Sequence, residues 1–222
     1  MTIKARGSMS VTYDMAPQFL AASNLFIEEA LQLESNCRNG MYTGEEEATA
    51  EVKHKGLVTA VILQCCAAME TSLYTVSVAG PGWHHGSNGV AVEDREYLKL
   101  FASDIDDKRG TIEKFNMVLN LLKLEPFDLG RNPGQDASLV VKLRNSLIHY
   151  KPKACAPFDP SEEEWVGKLR SYKLRLSPFP GAKAIYFPSA ALSADLGRLS
   201  LNVTRAFLDE FFKRLGRGSP FN

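Results

Sequence analysis

The chain has 222 residues with 26 basic and 26 acidic side chains, 45% hydrophobic and 23% charged. That balance is the globular average and excludes disordered, collagen-like and disulfide-scaffold classes. Its length suits one large domain, expected over 15–216, with 1–14 a flexible N-terminus or cloning scar and 217–222 a tail.

The first ten residues, MTIKARGSMS, hold no apolar run of the secretory type, so the expected location is cytoplasmic. Cys37, Cys65, Cys66 and Cys155 include no C-x-x-C spacing. They read as reduced, buried thiols, and neither a metal nor a cofactor is expected. The zero net charge hides a split: residues 1–139 carry 12 basic and 19 acidic groups, whereas 140–222 carry 14 and 7. The basic C-terminal part permits an anionic partner.

In chain order, a first amphipathic helix is predicted over 17–36, opened by Pro17, with Phe19, Ala22, Phe26, Ala30 and Leu33 on its inner face. A second runs from about 48 to 79. It is apolar on nearly every face between Leu57 and Val78, broken by Gln64 and Glu70, which marks a buried central helix rather than a membrane span. Residues 80–89 (GPGWHHGSNG) read as a loop; adjacent His84 and His85 lack metal-site spacing.

A third helix is predicted over 93–124 with Gly110 kinking or splitting it, and a fourth over 136–150, stopped by Pro152. A short fifth spans 161–173, an irregular connection or at most a minor hairpin 174–188, and a last helix carries Leu192, Leu196, Leu199, Val203, Phe207, Phe211 and Leu215 before Gly216. The fold class is all-α: an up-down bundle of four helices with extra C-terminal helices.

The fourth helix has two faces. Leu139, Val140, Leu143, Leu147 and Tyr150 form its core stripe, while Val141 and Ile148 make a second ridge flanked by Arg144 on one edge and by Asn145 and His149 on the other. Such a ridge suits a symmetric partner, so a homodimer is expected. In an up-down bundle the second and fourth helices run parallel, and counting back from their ends puts Glu70 within about 3 Å of the height of Arg144. Glu70 is therefore the expected partner of Arg144, since a carboxylate inside that apolar run needs one.

The run Arg144-Asn145-Ser146-Leu147-Ile148-His149 resembles the R-N-x-x-x-H signature of the HEPN superfamily, helical bundles that carry this motif late in a helix. The resemblance implies a bundle of four to six helices and a dimer sharing one cleft. It also implies either metal-independent RNase activity, as in toxin–antitoxin, defence or stress systems with an operon partner, or binding without catalysis. Some toxin members place a modifiable tyrosine two positions after the histidine; here Tyr150 follows it directly.

The chemistry needs no metal, because RNA supplies its own 2′-OH nucleophile. On this resemblance His149 is the candidate general acid or base, Arg144 the candidate phosphate clamp, and Asn145 a group to orient the ring or donate to the substrate. Lys151 and Lys153 are candidate phosphate contacts, and Trp83 is a candidate base-stacking residue at the same bundle end. Single-stranded RNA or a nucleotide is the expected ligand. The other readings are a non-catalytic nucleotide-binding or dimerisation module, and an Arg144 ion pair that only locks the bundle.

Overall fold

In a computed structural model the described residues are 14–79, 109–150, 164–183, 186–216, 218 and 221. The protein is an all-α helical bundle. Its helices are α1 (Ala16–Arg38), α2 (Glu45–Ala79), α3 (Thr111–Leu121), α4 (Gly134–Ile148), α5 (Glu164–Ser171) and α6 (Ala194–Arg214), and no strand occurs among the described residues.

Helix α2 is the axis, packing against α1, α3, α4 and α6. Its sequence allows this because Val58, Val61, Ile62, Cys65, Cys66, Met69, Leu73 and Val76 point to several faces and are all buried. Glu45–Ser77 is long and apolar enough to cross a membrane by length and composition, and half of its apolar window is buried inside the fold. Ser23 bonds Gln64 and Glu34 bonds His54, so α1 runs antiparallel to α2. The Cys66 thiol faces the Val140 carbonyl and Glu70 pairs with Arg144, both 74 residues apart, so α4 runs parallel to α2.

The last helix belongs to the core and is not an added layer. Phe207 and Phe211 meet Phe115 of α3 edge-on at 4.9 and 4.6 Å, and Phe127, ahead of α4, lies 4.5 Å from Phe207. These rings bury large areas and fix α3 and α4 against α6. Asn116 exchanges two hydrogen bonds with the backbone of Phe127, at 2.7 and 3.0 Å. Gly134 then begins α4 so close to the preceding loop that a Cβ would stand 2.8 Å from the Asp128 carbonyl oxygen. The start of α4 is thus held by α3 and α6, and by α5, whose Lys168 bonds Asp136 at 3.0 Å.

At the opposite end of α6, Glu34 is 1% exposed and accepts hydrogen bonds from His54 Nε2 (3.0 Å), Arg38 (2.9 Å) and the Ala194 N–H (2.7 Å). Burial resists its ionisation, but the hydrogen bonds from His54, Ala194 and Arg38 outweigh it and hold the carboxyl below its ordinary range. Ser193 caps the same helix, its hydroxyl accepting the Leu196 N–H.

Several details differ from the sequence reading. The inner face of α1 is Leu20, Ser23, Ile27, Ala30 and Glu34, one position on from the predicted stripe, with Phe19 and Phe26 packed at its margin. The described part of the third helix starts at Thr111 with Gly110 as its cap, so the glycine separates it from 93–108, which lie outside the described residues. Helix α4 ends at Ile148 with His149 as C-cap, and Tyr150, beyond it, is 45% exposed instead of in the core stripe. Val141 packs against the protein's own core, leaving Ile148, 54% exposed, as the open part of the predicted ridge. The irregular connection holds a short turn at Pro180–Lys183 and another at Tyr186–Ala190.

Cys65 and Cys66 are buried and free, and burial pushes both thiols up to about 12. Neither carries a useful thiolate fraction at neutral pH. Iodoacetamide at pH 8 is expected to leave both unmodified in the native protein and to label both in urea, as read by peptide mapping. Labelling of either in the native state would contradict the packing of α2.

Candidate functional site

The motif residues sit on the last two turns of α4, where the helix emerges from the bundle. Arg144 reaches across to α2 and forms an ion pair with Glu70, its guanidinium 23% exposed and the carboxylate 50%. Its other terminal nitrogen donates to the Asn145 side-chain oxygen at 3.0 Å. The guanidinium also lies against the Cys66 thiol, whose pKa it lowers in opposition to burial. Thr111, at the start of α3, donates to the same Glu70 oxygen at 3.5 Å. Three helices therefore meet at the Glu70 carboxylate.

The predicted partnership of Glu70 with Arg144 is present. It follows from the parallel packing of α2 and α4, which keeps one register offset at Cys66 with Val140 and at Glu70 with Arg144. Because both groups keep solvent contact, the pair orients Arg144 more than it stabilises the fold.

His149 lies apart from this cluster. Its N–H closes the helix on the Asn145 carbonyl at 2.9 Å, while its side chain is exposed and makes no hydrogen bond with the described residues. Five residues separate it from Arg144, about 140° around the helix, so one chain does not bring the imidazole onto the guanidinium. Asn145, four residues before His149, lies between them: it touches Arg144 and shares an edge with the histidine. Lys151, Lys153 and Trp83, with the His84-His85 loop, lie outside the described residues.

One residue at this end escaped the sequence reading. Tyr74 is one turn beyond Glu70 on α2 and is 54% exposed. With the same register, it stands level with Ile148. The signal available in the sequence was its spacing of four from Glu70, hidden because the whole run reads as buried. Among the described residues no three His, Cys, Asp or Glu side chains group as a metal site.

The arrangement offers a fixed guanidinium and an amide, and apart from them an exposed imidazole with no hydrogen bond to the described residues, groups able respectively to hold a phosphate and to move a proton. Comparison with models of protein families, with curated proteins and with solved structures finds no match.

Proposed function

We propose that the protein is a HEPN-like, homodimeric, metal-independent endoribonuclease acting on single-stranded RNA through Arg144, Asn145 and His149. The observation that carries this reading is the oriented Arg144, held by Glu70 and Asn145, five residues before an exposed His149 on the same helix end. In this scheme the RNA 2′-oxygen attacks the adjacent phosphorus and the 5′-oxygen leaves, giving a cyclic phosphate and a new 5′-hydroxyl. Arg144 meets the charge growing on the phosphate oxygens. His149 takes the 2′-OH proton or delivers one to the leaving oxygen, and a histidine at each motif of a dimer supplies both roles. Exposed Ile148 is the contact for the second copy. Lys151 and Lys153 extend the phosphate path, and the resemblance implies an operon partner that restrains the activity.

The second reading, a non-catalytic nucleotide-binding or dimerisation module, is favoured by the pairing of Arg144, since Glu70 already offsets part of the charge that would stabilise a cleavage transition state. Purified protein and its His149→Ala variant, incubated with single-stranded RNA in excess EDTA, separate the two. Cleavage by the parent and its loss in the variant is the expected result. RNA binding without cleavage by either protein would replace the enzyme with the binding module, and a strict monomer in light scattering would remove the shared cleft.

A further inference from the structure

Tyr74 is set apart from the buried side chains around it on α2. It is 54% exposed on the otherwise heavily buried second half of α2, and its hydroxyl makes no hydrogen bond with the described residues. Neighbouring positions on that half, Ser72, Leu73, Thr75 and Val76, are all buried. The aromatic ring is therefore turned outward on the side where Glu70 reaches Arg144.

Its position follows from helix register. The parallel packing places Cys66 beside Val140 and Glu70 beside Arg144, so the next turn places Tyr74 level with Ile148 and just short of His149. The rise between Glu70 and Tyr74 is about 6 Å along the helix axis. That is the scale of one nucleotide step from a phosphate held at Arg144. By this register the ring stands at the height of the step from the phosphate clamp toward the imidazole, level with the exposed Ile148.

We infer that Tyr74 is the base-stacking platform of this site, receiving an unpaired base next to the phosphate held by Arg144. This rests on the ribonuclease or RNA-binding reading above and narrows its ligand to nucleic acid with an exposed base face. Stacking suits a tyrosine here because every base has a π-face, so the contact is strong without being sequence-specific. A base inside a duplex is already stacked on its neighbours and has no free face to offer, so paired RNA loses the contact. Tyr74 is a binding residue in this scheme: its effect falls on affinity and KM and leaves kcat unchanged.

The test uses the full chain and a fluorescent single-stranded oligonucleotide with 2′-O-methyl sugars, which lacks the nucleophile and cannot be cleaved. Anisotropy titrations of the parent, Tyr74→Phe and Tyr74→Ala are compared with the same oligonucleotide annealed to its complement. The expected result is a Kd about 10-fold weaker for Tyr74→Ala on the single strand, within about 2-fold of the parent for Tyr74→Phe, and no difference among the three on the duplex. Melting temperature and light scattering of the variants accompany the titrations. Equal single-strand affinity for the parent and Tyr74→Ala overturns the platform while leaving the RNA reading standing. Loss of affinity that tracks loss of the dimer makes Tyr74 a contact between copies and also overturns it. Failure of the parent to bind either oligonucleotide overturns the platform together with the proposed function.

Discussion

Replacing Glu34 with alanine is expected to lower the unfolding free energy by about 3–5 kcal/mol, the largest effect of any single polar substitution in the described fold. The carboxylate is 1% exposed and satisfies three donors from three helices: His54, Arg38 and the first N–H of α6. Its removal leaves the fully buried His54 and the Ala194 N–H without an acceptor. In a chain of this size the loss corresponds to a fall in Tm of roughly 6–20 °C. Urea denaturation of the two proteins measures it, and a change below about 1 kcal/mol would mean that water or a neighbouring group replaces the carboxylate.

The same residue sets a pH dependence. Its carboxyl is held below its ordinary value of 4.5. Ionised Glu34 therefore contributes stability that is fully present above the unfolded pKa and is lost as pH falls through the lower, folded one. The urea midpoint is expected to drop on acidification below about pH 4.5. Glu34→Gln keeps an acceptor without the titration, so its acid slope is expected to be shallower than the parent's; identical slopes would assign the acid sensitivity to other carboxylates.

On the proposed ribonuclease reading, Arg144→Lys is expected to reduce RNA cleavage about 10²–10³-fold while changing stability by about 1 kcal/mol or less. The two effects part because of where the guanidinium sits. It bonds Glu70 and Asn145 in two directions from one planar group, a geometry that an ammonium cannot reproduce. Its ion pair is half open to solvent on the Glu70 side, so losing it costs the bundle little. Single-turnover cleavage and urea denaturation of the same preparation measure both. A stability loss of several kcal/mol with proportionate loss of folded protein would make Arg144 a structural lock between α2 and α4.

Much of the bundle was legible in the sequence because helical periodicity is a local property. The apolar spacing of α6 announced a helix, and the continuous apolar run of α2 announced a central one, before any contact was known. Even the pairing of Glu70 with Arg144 could be reached, since a fixed rise per residue converts two helix ends and a parallel orientation into a height. The motif itself, from Arg144 to His149, is six consecutive residues whose spacing needs no tertiary information.

Other features depended on groups far away in the chain. The rotation of α1 that buries Ser23 and Glu34 in place of part of its aromatic stripe was decided by partners such as Gln64, His54 and the start of α6, the last 160 residues from Glu34. A charged residue reads as exposed until those donors are known. Tyr74 was hidden for the opposite reason: within a helix apolar on all sides, only the placement of α1, α3, α4 and α6 around it determines which side stays open. The sequence by itself determined the helices and the line of motif residues along α4. The tertiary structure decided which faces are covered, that Arg144 is held while His149 makes no hydrogen bond with the described residues, and that Tyr74 is exposed on α2, because burial is a property of packed neighbours and not of spacing.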